Sequence, residues 1–330
     1  MPKLGSSLIA GGILGTGGFA AYNNTVPKNI QAALEREGIP FIDSISDTNE
    51  KNRAYKAVYI DNKSNIKEDI AAIKQDTEDA AYSEIDTWCN QQLNAPYSWS
   101  TLEKNREKII NYCSDQRPKT VEGRLKRITE GIWIRDQKQN KEEAYKVIFA
   151  IYRYDDDFLK QINSVKGNGN DYDHSEDANT GYERLQKWCE EKLSSKVSLV
   201  EDENLYNYVF WWCKKLDHGA TVRDKIKHDY PGWNEENKDW TKVKGYWQMT
   251  RQVYVWIDEN SKKSINGSNI DSIKYQTWCE NTLKAKIYDS QIYQWKYLIA
   301  KSVCVEVKVQ AVLGKYKNLK EAIANKDNTD

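Results

Sequence analysis

The chain has 330 residues, with 49 Lys and Arg balanced by 49 Asp and Glu. Only 17 Gly and 6 Pro occur, so a disordered or low-complexity chain is excluded. The zero net charge carries no dense basic block, and strong nucleic-acid binding needs one. The best basic run, Arg124–Arg127, reads as the solvated face of a helix.

The first segment differs from the rest. Residues 4–22 carry no charge and are rich in Gly and Ala, close to the ~20 residues a helix needs to cross a bilayer. Gly11, Gly15 and Gly18 fall near helical spacing, as in close helix contacts within membranes. Lys3 precedes the segment and favours an inside N-terminus. The expectation is a signal anchor over residues 1–25, with membrane contact through 4–22. A cleaved signal peptide is the alternative, although no A-x-A site follows. "GTGGFA" formally matches a dinucleotide fingerprint at Gly15, Gly17 and Ala20, but no strand precedes it.

Three helical modules follow, each of about 90–100 residues by the spacing of their landmarks. The first landmark is a capped helix start at Ile30, Val121 and Val222. The second is a tyrosine-led apolar segment at Tyr55, Tyr145 and Tyr246, 24 or 25 residues further on. The third is W-C-x-x-x-L: Trp88, Cys89 and Leu93; Trp188, Cys189 and Leu193; Trp278, Cys279 and Leu283. The expected boundaries are 26–119, 120–220 and 221–309, with a partial fourth copy or C-terminal helix over 310–330. The middle copy is longer, and its excess maps to a Gly/Asn/Asp-rich loop near 163–181.

The fold class expected is all-α. Thr120 and Thr221 stand at N-cap positions. Tyr82, Ile85, Trp88, Cys89 and Leu93 share one helical face, and Tyr182, Leu185, Trp188, Cys189 and Leu193 repeat it. These Trp and Leu residues form a recurring core motif. A last helix of each module ends near the second cysteine, and the aromatic bodies of Trp211, Trp212 and Trp295 are expected to fill core space. Trp99, Trp133, Trp233 and Trp240 lie near turns, where loop packing competes with stacking on a sugar or partner.

Each Trp-Cys cysteine is followed by one more. The pairs Cys89/Cys113, Cys189/Cys213 and Cys279/Cys304 are separated by 24, 24 and 25 residues. A turn lies midway in each interval. Two antiparallel helices joined there would bring the cysteines level, so these are disulfide candidates. Buried free thiols remain the alternative. No C-x-x-C occurs, and the three histidines do not repeat with the modules, so metal and thiol chemistry find no support.

"DYDHSED" (171–177) starts like a calcium loop, but Glu176 stands where Gly is needed and Tyr182 where an acid is needed. It reads as a solvated acidic insertion. No nucleophile elbow, zincin helix or phosphate-binding loop appears, so the expected sets of catalytic, cofactor-binding and metal residues are empty.

The Gly/Ala-rich anchor, T-V-x-x-[RK]-[LI], W-C-x-x-x-L and the second cysteine together resemble the large paralogous families of uncharacterised proteins of haemotropic mycoplasmas. The resemblance covers nearly the whole chain. It implies a membrane-anchored, surface-exposed protein of a wall-less bacterium on red cells. The 12 Trp suit that group's additional Trp codon. The family supplies no activity, catalytic residue or cofactor to carry over. The functional expectation is a non-enzymatic surface repeat protein, single-pass with the bulk of the chain outside. It would act in contact with a host-cell protein or glycan, or as a variable antigen. An extracellular module binding a glycan, peptide or lipid is the second reading. A cytosolic structural repeat with buried thiols is the third.

Overall fold

The computed structural model describes residues 26–165, 170–236 and 272–328. The expected anchor, Tyr246 and Trp240 lie outside them. The described residues are helical and contain no strand, only four isolated β-bridges. Among them, no helix is long and apolar enough to cross a membrane. The chain divides into two compact units, up to Glu130 and from Gly131.

The first unit opens with α1 (Ile30–Glu35), whose Asn29 side chain accepts from the Ala32 amide. A 3-10 turn (Ile42–Ser44) leads to α2 (Thr48–Asp61), capped by Asp47, and then to the single turn α3 (Ile66–Asp69). Helix α4 (Glu78–Asn94) carries the first Trp-Cys pair. Its Thr77 side chain accepts from the Ala80 amide, and the acidic Glu78 and Asp79 stand in its first turn, where the helix dipole favours them. The turn after α4 gives way to α5 (Trp99–Cys113), capped by Ser98. Ile30, Leu34, Phe41, Tyr55, Ile85 and Leu93 belong to one buried cluster.

Helix α6 (Val121–Ile128) belongs to this unit in space. It packs on α2, Lys126 forms an ion pair with Glu78 at 2.5 Å, and the Arg53 side chain donates to the Arg127 carbonyl. The sequence boundary at 119/120 therefore does not coincide with the division in space. Here the capped helix that opens the second copy closes over the tyrosine helix of the first.

The second unit repeats the plan. It runs through α7 (Lys141–Tyr152), α8 (Asp156–Asn163), α9 (Ala178–Ser194), α10 (Asn204–Cys213) and α11 (Val222–Asp229). After the undescribed stretch come α12 (Ser272–Lys284), α13 (Tyr297–Val303), α14 (Val307–Val312) and α15 (Leu319–Ala324). Helix α14 begins at Val307 with Glu306 at its N-cap and spans the expected boundary at 309/310.

The cysteines pair within each copy: Cys89–Cys113, Cys189–Cys213 and Cys279–Cys304, with Cα atoms 5.5, 5.6 and 5.5 Å apart. The third pair has one more residue between its members. A π-turn at Ile292–Lys296, just before α13, takes up the extra residue and restores the register.

The backbone just past each second cysteine is latched to the same place. Asp115, Lys215 and Glu306 amides donate to the carbonyls of Pro40, Ile132 and Asn234, at 2.8, 2.7 and 2.7 Å. Beside those carbonyls Phe41, Trp133 and Trp233 are buried as plugs. Trp133 and Trp233 are therefore core residues, and the Trp233 indole donates to the Lys301 carbonyl at 2.8 Å.

The core motif needs correction. Cys89, Leu93, Cys189, Leu193, Cys279 and Leu283 are all buried. Of the three motif tryptophans Trp188 alone is fully buried, while Trp88 and Trp278 are partly covered. The reason lies one residue before each second cysteine. Trp188 meets Trp212 at 5.2 Å, and Trp212 is itself enclosed by Phe158 and Tyr208. Trp88 meets only the edge of Tyr112, and in the third copy Val303 occupies that position. Trp211 and Trp295, expected in the core, are 40% and 50% exposed. They sit one helical step off the buried stripe.

Candidate functional site

One concave place recurs, bounded by the tyrosine helix, the end of the second-cysteine helix, the connector and the next capped helix. In the first unit it is nearly closed, with a cavity of about 20 Å³. Asp61 at the end of α2 fills it. One of its oxygens accepts from the Thr120 amide and hydroxyl at 3.1 and 2.6 Å, and the other from the Lys119 amide at 2.6 Å. The Lys119 ammonium donates to Asn62 and Asn111, each at 3.3 Å. Gly123 leaves room for the carboxylate, since a Cβ there would stand 2.5 Å from it.

In the second unit the corresponding place opens to about 310 Å³. Aligned on the tyrosine and cysteine landmarks, Ile151 replaces Asp61, Tyr152 replaces Asn62 and Trp211 replaces Asn111. On α11, Asp224 replaces Gly123 and closes a capping box with Thr221, so the helix caps itself. The acid has moved from the preceding helix into the helix it caps. The Tyr246 segment of the third copy lies outside the described residues.

The rim of the open cleft is cationic. Lys225 pairs with Asp229, and Lys214 pairs with Asp217 at 3.1 Å while lying 5.3 Å above the Phe210 ring. Lys215 is exposed and has no acidic partner among the described residues. His218 and His228 come together with ring centroids 5.0 Å apart. The His218 Nδ1 donates to the Gly219 carbonyl at 2.6 Å, which fixes its tautomer when neutral. Burial pushes its pKa below the ordinary value, and Lys225 and His228 add to that, against the Gly219 hydrogen bond and Asp229. The His228 Nδ1 contacts Asp229 at 3.1 Å. Burial pushes the Asp229 carboxyl up, but hydrogen bonds from Lys225 and Tyr297 outweigh it and hold the pKa below the usual range.

The acidic insertion is engaged locally. Asp173 accepts from the Ser175 amide and hydroxyl, Asp177 caps α9, and His174 meets Asp156 at 3.0 Å. Arg184 lies 3.5 Å above the Tyr172 ring and donates to Asn163. No three His, Cys, Asp or Glu side chains converge as a metal set among the described residues.

No family model, curated protein or solved structure matches this chain.

Of the tryptophans singled out in the sequence, Trp211 lines the open cleft, and the turn tryptophans Trp99, Trp133 and Trp233 do not. Trp99 is 69% exposed on its own face, and Trp133 and Trp233 are buried. Ile151, Trp211, Lys215, His218 and His228 were missed as a group. Their signal was present only as departures from the repeat: a position that holds Asp61 in one copy and Ile151 in the next.

Proposed function

We propose that this chain is a non-enzymatic, membrane-anchored repeat protein displayed outside the cell, acting in host-cell contact or as a variable antigen. The observation that carries the reading is the pairing of all six cysteines, one bond in each copy. Bonds of this kind persist in oxidising surroundings and are rare where thiols are kept reduced. The uncharged segment 4–22 supports the same side of the membrane, and so does the resemblance to haemoplasma surface families. Tripled, self-clamped modules give a stable frame whose outer faces are free to vary.

The test is protease treatment of intact cells that make the protein, followed by mass spectrometry of the non-reduced chain. The expected result is cleavage of the bulk of the chain from outside, with three intact bonds. A chain that stays whole until the cells are lysed, with six free thiols, would overturn the reading.

A further inference from the structure

We propose that the open cleft between α7, α10 and α11 binds a small amphiphilic anion, a carboxylate on an aromatic or aliphatic body. The inference does not depend on surface display, since the cleft would bind such a molecule in any compartment.

The argument starts from the two copies of one place. Where the first copy has Asp61, Asn62 and Asn111, the second has Ile151, Tyr152 and Trp211. Three polar side chains that knit the first cleft shut are replaced by three apolar or aromatic ones. The change does not produce a tighter core. It produces a cleft of about 310 Å³ with Trp211 still 40% exposed at its edge. Apolar surface held open to water costs about 25 cal/mol per Å², so a repacked core would be the cheaper outcome. The size stands at the lower end of the ~300–1,000 Å³ typical of small-molecule sites.

Charge selects the ligand further. The first cleft holds its own carboxylate, Asp61. The second has lost it, and Asp224 has taken over the capping work, so Thr221 no longer needs an outside acid. Lys225 is engaged by Asp229 and Lys214 by Asp217. Among the described residues, Lys215 remains as the cation in excess at the rim. The His218 Nδ1 donates to the Gly219 carbonyl, so the Nε2 of the neutral ring is an acceptor and the anion's charge falls to Lys215. One spare cation beside an apolar floor fits a monoanion with an apolar body. A sugar would need polar partners across its face, and Ile148 and Ile151 offer none.

The test uses the full disulfide-bonded chain and the fluorescent anion anilinonaphthalene sulfonate as probe, with decanoate and decanol as competitors. One saturable site is expected, from which decanoate displaces the probe at least about tenfold better than decanol. Ile151→Asp, which restores the carboxylate of the first copy, should weaken probe binding about tenfold or more. Lys215→Glu should weaken decanoate by a similar factor and leave decanol unchanged. Lys215 is exposed, so this second variant remains informative if Ile151→Asp misfolds by near-UV circular dichroism. Absence of a saturable site, equal displacement by the two competitors, or parental decanoate binding by Lys215→Glu would each overturn the proposal.

Discussion

Asp61 caps a helix to which it does not belong. Its carboxylate, at the end of α2, takes both the amide and the hydroxyl of Thr120 at the start of α6. Hydrogen bonds to a charged acceptor contribute more than neutral ones, and a lost cap alone costs about 1 kcal/mol. Asp61→Ile should destabilise the first unit by about 2–4 kcal/mol in chemical denaturation. Adding Gly123→Asp copies the arrangement found at Ile151 and Asp224. The double variant should recover at least half of the loss, whereas Gly123→Asp alone should destabilise by crowding Asp61. Additive losses in the cycle would contradict the exchange.

The three bonds each close a loop of 24 or 25 residues. In the chain-entropy model each should contribute about 3 kcal/mol. Replacing both members of any one pair by Ser should lower stability by roughly that amount. Reduction of the parent should unfold modules at denaturant concentrations the oxidised chain tolerates. Equal denaturation midpoints with and without reductant would rule out a stabilising role.

Asp76 gives the first unit an acid-sensitive contact. A hydrogen bond from the Tyr59 hydroxyl, followed by one from Lys67, holds its pKa near 2, below the ordinary 3.8. The folded state therefore favours the charged form. The contribution is fully present above pH 3.8 and is lost as pH falls towards 2. Asp76→Asn should flatten that part of the stability profile. Its side chain is 58% exposed, so the effect should also shrink in high salt.

Gly181 on α9 is required by the neighbouring Phe149. A Cβ at Gly181 would stand 2.2 Å from the ring, well inside contact distance. The first copy has Ala81 there, opposite Tyr59. Gly181→Ala should destabilise the second unit by about 1–3 kcal/mol through overpacking. Thermal unfolding compared with a distant control such as Lys196→Ala would show it, and an unchanged midpoint would exclude the clash.

Much of this architecture was legible in the chain because it is written three times. Helical periodicity, Thr caps and the equal spacing of cysteines about a turn are local properties, set by 3.6-residue geometry and short loops. They establish an all-helical repeat with one cysteine pair per copy. Burial is not local in the same way. Trp88 and Trp188 occupy identical sequence contexts, but the partner across the turn is Tyr112 in one copy and Trp212 in the other, and this decides which ring is covered. The joint between copies is equally invisible along the chain. Only the tertiary structure sets Asp61 against Thr120, or leaves Ile151 facing a cleft rimmed by Lys215, His218 and His228. The physical reason is that such contacts depend on where the capped helices pack: α6 lies on α2, whereas α11 packs on α12 and α13. Exchanges at Asp61, Asn62, Asn111 and Gly123 accompany the change from a filled joint to an open one.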